Sequence, residues 1–132
     1  NAKAELVLSD KKYDNSIYIT QKRSNEIIIQ TQEKPDYQQS LNTITEILNK
    51  NKENPYVWYN MGNIHLQMQE FNKAIDDYTK AIRYEPNLAE AYYNRALTLL
   101  YLNNKSLAIK DLSKAGELGI KEAYVVMKRF TE

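Results

Sequence analysis

The chain has 132 residues, with 18 Lys and Arg against 17 Asp and Glu, and its formal net charge of +1 demands neither nucleic acid nor an anionic membrane as a partner. Its 42% hydrophobic and 27% charged residues are the composition of one globular domain rather than of a disordered segment. With no Cys, one His and three Gly, it lacks disulfides, thiolate metal sites, a cluster of His ligands and a phosphate-binding loop, so no metal or cofactor is expected.

No apolar run approaches the ~18 residues of a membrane span, so direct membrane insertion is not expected. The chain opens at Asn1 rather than Met and shows no signal peptide, which reads as a processed protein or a piece of a longer one. In residues 1–35 apolar positions alternate. Ser16–Thr20 and Glu26–Thr31 are β-rich, and the polar Gln21–Asn25 between them reads as a turn, so the expectation is a short N-terminal β-hairpin. Leu6-Val7-Leu8 is either a third strand or a helix remnant. An isolated hairpin is marginal in water, so this one is expected to pack on the first helix of the region beyond Pro35 or on another part of the protein.

From Asp36 onward the period becomes helical. Pro35 disfavours helix at its predecessor, and Asp36 can cap a helix whose stripe is Tyr37, Leu41, Ile44, Ile47 and Leu48. Asn49–Asn54 ends it, and Pro55 suits the first turn of the next helix.

The strongest signal is an internal repeat. Sliding 55–88 against 89–122, an offset of 34, gives identities at Tyr59/Tyr93, Asn60/Asn94, Leu66/Leu100, Ala74/Ala108, Ile75/Ile109, Asp77/Asp111, Lys80/Lys114 and Ala81/Ala115. Chance would give about two. A weaker copy precedes them, with Tyr37/Phe71, Ser40/Ala74, Leu41/Ile75, Ile44/Tyr78 and Ile47/Ala81. Each unit reads as two helices. In the first unit, Trp58, Met61, Gly62, His65 and Leu66 share a face of the first helix and Ala74, Ile75, Tyr78, Ala81 and Ile82 make the stripe of the second, with the small residues allowing close helix approach. Ile120, Ala123, Tyr124, Met127 and Phe130 make the stripe of a final capping helix.

This pattern resembles the tetratricopeptide repeat (TPR). Trp58, Gly62, Ala74, Tyr78, Ala81 and Pro86 match that family's signature, with Met61 and His65 at its Leu and Tyr positions. In the second unit Tyr92, Ala96, Leu99, Ala108, Leu112 and Ala115 correspond, while Arg95 replaces a Leu and Ile120 the Pro. The ending Ala115-Gly116-Glu117-Leu118-Gly119 is also similar to a Sel1-type repeat. The resemblance spans about Asp36 to Phe130. It implies a mainly α fold, a helix-turn-helix solenoid behind the short hairpin, divided as 1–35 (hairpin), 36–54 (half-repeat), 55–88 and 89–119 (repeats) and 120–131 (capping helix). The half-repeat and the cap make up for having fewer than the three repeats such stacks usually need.

The resemblance further implies a concave groove lined by the first helix of each repeat, taking a peptide or partner protein. Carried over by position, its residues are Tyr56, Tyr59, Asn60, Asn63, Leu66 and Gln67, then Glu90, Tyr93, Asn94, Leu97, Leu100 and Tyr101. Asn60 and Asn94 match an Asn that bonds a ligand's backbone in peptide-binding members, and an amide both donates and accepts. Tyr59 and Tyr93 offer apolar area with a polar tip. The alternative is consensus structural usage in a docking segment of a larger repeat protein. Chaperone-binding members hold a terminal carboxylate with Lys and Arg on these helices. Here Arg95 is the one such cation, one place out of register, so that specificity is not expected.

Nothing in the chain reads as catalytic. Asp76 and Asp77 are adjacent, diverge around a helix and are expected to be solvated, and His65 is expected to be a packed or groove-edge residue. The scattered basic residues, Lys11, Lys12, Lys22 and Arg23 early and Lys121, Lys128 and Arg129 late, read as solvated surface, so nucleic acid is not an expected partner. The 14 Asn, 14 Lys and 12 Ile suggest an AT-rich coding genome and a bacterial source.

Overall fold

A computed structural model describes residues 3–8, 17–20, 26–30 and 36–131. Three strands, β1 (Lys3–Leu8), β2 (Ile17–Thr20) and β3 (Glu26–Gln30), precede six helices. These are α1 (Tyr37–Lys50), α2 (Pro55–Gln67), α3 (Phe71–Tyr84), α4 (Ala89–Tyr101), α5 (Lys105–Glu117) and α6 (Glu122–Thr131).

The helices begin and end where local chemistry lets them. The Asp36 carboxylate accepts from the Gln39 N–H at 3.1 Å, and Asn54 Oδ1 accepts from the Tyr56 N–H at 2.9 Å with Pro55 in the first turn. Helices α2 and α4 end in the same way, one repeat apart. Gln69 and Asn103 take left-handed φ of 60° and 64°, and the following N–H groups bond back, Glu70 to His65 O and Asn104 to Leu99 O, both at 2.8 Å. A left-handed residue with this back-bond satisfies carbonyls that the helix end leaves open. Gly119, at φ 115°, ends α5 with the equivalent bond from Ile120 N–H to Ala115 O at 3.0 Å.

Consecutive helices pack in pairs, α2 on α3 and α4 on α5, with α3 against α4 joining the pairs. Helix α1 packs on α2, and α6 closes the stack on α5. The main core runs from Tyr59 and Leu66 in α2 through Ala74, Tyr78 and Ala81 to α6, where Ala123, Val126 and Phe130 are buried. A smaller cluster of Leu48, Val57 and Met61 ties α1 to α2. Helix α2 meets α3 so closely that a Cβ on Gly62 would lie 2.6 Å from Cε1 of the fully buried Tyr78.

The expected pairing of 16–20 with 26–31 in an N-terminal hairpin is not found. The sheet order is β2-β1-β3: β2 pairs antiparallel with β1 (Leu6 opposite Ile19) and β3 pairs parallel with it (Leu6 opposite Ile29). The segment around Leu6-Val7-Leu8 is thus the central strand and separates the two runs expected to pair with each other. The expected turn at 21–25 lies outside the described residues, as do Lys11, Lys12, Lys22 and Arg23. Both β1 and β3 run against α4. The helical neighbour of the sheet is therefore α4 rather than the first helix of the stack.

Candidate functional site

Helices α2 and α4 lie side by side and carry the twelve residues expected to line a groove. Tyr56 and Tyr101 are 58% and 40% exposed, and Glu90 is also open to solvent. Asn60 and Gln67 are half-buried. The other seven are buried within the chain: Tyr59, Asn63, Leu66, Tyr93, Asn94, Leu97 and Leu100. Strands β1 and β3 lie along α4, the helix with four of those seven.

Much of this burial has a polar reason. Asn63 Oδ1 accepts from the Tyr78 hydroxyl at 2.6 Å and from Asn94 Nδ2 at 3.0 Å, and Asn94 Nδ2 also donates to the Tyr59 hydroxyl at 3.0 Å. The Tyr59 and Tyr78 rings meet at 5.9 Å between centroids. Four side chains thus tie α2, α3 and α4 together at the joint between the repeats. Burial, the neighbouring Tyr59 and the carboxylate of Asp77 together hold the Tyr78 hydroxyl well above the usual tyrosine range, so it stays a neutral donor. Burial likewise pushes up the Tyr93 hydroxyl, with Glu122 adding to it. One repeat later, Leu97, Leu112 and Lys128 stand where Asn63, Tyr78 and Asn94 stand here, so this network belongs to the first joint alone.

One further polar pair spans the two helices of each repeat. In the second, Arg95 makes a two-pronged bond to Asp111, Nε to Oδ2 at 2.7 Å and Nη2 to Oδ1 at 2.8 Å, and Nη1 reaches the Thr79 hydroxyl at 3.1 Å. In the first, the same position as Asp111 is Asp77, which bonds His65 Nδ1. Asp77 is 5% exposed, which corrects the expectation that both Asp76 and Asp77 are solvated; only Asp76 is exposed. Burial raises the Asp77 carboxyl above its ordinary range, and the bond from His65 and the charges of His65 and Lys80 pull it part of the way back. His65 is itself 8% exposed and packed, with Glu70 Oε2 4.0 Å from Nε2. Sequence carried one sign of these pairs: Arg95 occupies an apolar position of the signature while Asp111 recurs at the place of Asp77.

Chemically the face offers aromatic, amide and carboxylate groups and little else. No group of three or more His, Asp or Glu is placed to hold a metal ion among the described residues. No helix among them is long and apolar enough to cross a membrane.

Comparison with known proteins bears on the family and the fold. Two family models described as tetratricopeptide repeat match residues 55–88 and 77–111. A DnaJ homolog subfamily C member 7 homolog of Dictyostelium discoideum is 32% identical over 109 residues, covering 72% of this chain and 19% of that protein. The photosystem I assembly protein Ycf3 of Acaryochloris marina is 32% identical over 84 residues, 61% of this chain and 50% of that protein. The chain thus spans about a fifth and a half of the lengths of these relatives. Among solved structures, a TPR2B domain of yeast Sti1 in an Hsp70 complex superposes with a TM-score of 0.68 at 20% identity, over 73% of this chain and 83% of that one. Repeat period, paired helices, matching family models and the shared fold converge: the chain is a tetratricopeptide repeat protein.

Proposed function

We propose that the protein is a non-catalytic interaction module that binds a peptide or partner protein along the α2–α4 face. The repeat family supports this reading, together with the fold-level likeness to a domain solved in an Hsp70 complex. The contact residues would be the exposed Tyr56, Glu90 and Tyr101 and the half-buried Asn60 and Gln67. The buried Tyr59, Asn63 and Asn94 would hold α2 and α4 at a fixed separation, so that little order is lost on binding. Recognition of a terminal carboxylate is not part of the proposal. Arg95 is the one Lys or Arg in α2 and α4, and its guanidinium is engaged by Asp111 and Thr79.

The test is capture from lysate by the 132-residue chain, compared with the Tyr56→Ala/Tyr101→Ala variant. The expected result is a partner held by the wild type and weakened at least about tenfold in a variant of unchanged melting temperature. A partner held equally by both would favour the second reading, a docking segment of a larger repeat protein, for which the open apolar residues of α1, such as Ile47, speak.

A further inference from the structure

Helix α4 fronts a second groove on its other side. Arg95 and Leu99 stand two residues on from Tyr93 and Leu97, about 200° around the helix, and so turn away from them. With Ile75 and Thr79 of α3 and Leu107, Lys110 and Asp111 of α5, they line a groove of about 330 Å³.

The outer surface changes character between the repeats. One period on, Lys73 and Asp76 of α3 become Leu107 and Lys110 of α5. Lys73 is paired with Glu70, 3.0 Å away. Leu107 is instead a large apolar residue left 48% exposed, and Lys110 is exposed with no ion pair among the described residues. Arg95 and Asp111 neutralise each other through both carboxylate oxygens, so Lys110 is the uncompensated charge of the lining. Arg95 uses only three of its five N–H groups within the chain, and its side chain is 20% exposed. The groove thus sets apolar surface from Ile75, Leu99 and Leu107 beside unused donors and one unpaired positive charge.

We propose that this groove binds an acidic, apolar segment of a partner protein, with large apolar side chains against Ile75, Leu99 and Leu107 and a carboxylate on Lys110 Nζ. Charge decides the class. A basic segment would meet Lys110 with no free carboxylate to offset it, and a purely apolar one would cover an ammonium group without pairing it. The volume is at the small end of the about 300–1,000 Å³ of ligand pockets, which suits a few side chains. The chain's own segments are poorly matched: before α1, none of the stretches outside the described residues has a net negative charge, since the charges of 9–16 and 31–35 balance and 21–25 holds Lys22 and Arg23 with no acid. The site is separate from the α2–α4 face, and either can fail without the other.

Binding is read from amide NMR spectra of the full 132-residue chain, titrated with a short capped peptide of a Leu pair followed by a Glu pair and with its Gln analogue. The expected result is saturable shifts at Ile75, Thr79, Leu99 and Leu107 with the Glu peptide. Affinity should be at least about fivefold weaker for the Gln analogue and for the Leu107→Ser and Lys110→Glu variants. Lys121→Glu makes the same charge change at an exposed residue outside the groove and should leave affinity within about twofold. All three substitutions are at exposed positions, so melting temperatures should be unchanged. Absence of saturable shifts, shifts gathered on the α2–α4 face, equal binding of the Gln analogue, or equal effects of Lys110→Glu and Lys121→Glu would overturn the proposal. So would contacts in the free protein between the Leu107 methyl groups and residues 1–35 or Glu132, which would give the groove to the chain itself. A dimer in sedimentation that Leu107→Ser converts to monomer would overturn it too, giving the groove to a second copy.

Discussion

Gly62→Leu is expected to destabilise the protein by about 3 kcal/mol or more, lowering the melting temperature by roughly 10 °C or more. The Gly62 backbone faces a fully buried ring: a single Cβ would already lie 2.6 Å from Tyr78 Cε1. Tyr78 cannot swing aside cheaply, because its hydroxyl is bonded to Asn63 and its ring lies against Tyr59. Relief therefore requires α2 and α3 to separate, which undoes the joint. Gly116 is the control. A Cβ there meets Tyr124 at 2.5 Å, but Tyr124 is 43% exposed and free to move outward. Gly116→Ala is expected to stay within about 1 kcal/mol of wild type, since alanine's better helix propensity offsets the displacement. Thermal unfolding followed by circular dichroism separates the two, and equal melting temperatures would remove the packing argument.

Asp111→Ala is expected to cost about 2–4 kcal/mol. The substitution strips both prongs from the Arg95 guanidinium, whose side chain is 20% exposed, while Thr79 keeps a single bond to it. Partial exposure of Arg95 places the cost below that of a fully buried orphan charge. Adding Arg95→Leu, the residue type of the family's signature at that position, is expected to recover most of the loss, because an apolar pair of similar size needs no partner. Urea unfolding of the single and double variants measures this. A double variant as unstable as Asp111→Ala would show that the carboxylate acts through something other than Arg95.

The helices are legible in the sequence because their cause is local and repeated. Gly62, Ala74, Tyr78 and Ala81 recur in kind 34 residues on, and the bounds of α2 and α4 follow the same period. The strand pairing is not legible. Two β-rich runs joined by five polar residues look like a hairpin, yet a third run, Lys3–Leu8, separates them in the sheet. Competition between strands distant in sequence leaves no local mark. The face residues divide in the same way. Tyr56 and Tyr101 are open as position alone suggests. Asn63 and Asn94 are buried because they find each other across 31 residues, with Tyr59 and Tyr78 completing the set. Asp77 reads as solvated beside its neighbour Asp76, whereas its partner His65 lies 12 residues away on the preceding helix.

That Asn63 and Asn94 act as struts between the repeats, and not as ligand contacts, is tested most directly by a double-mutant cycle in urea with Asn63→Ala and Asn94→Ala. Each single substitution leaves buried partners unsatisfied and is expected to cost about 1–3 kcal/mol, and the pair should be coupled by about 1 kcal/mol. Additive effects, or single variants as stable as wild type that lose a partner, would contradict the strut and return both asparagines to a binding surface.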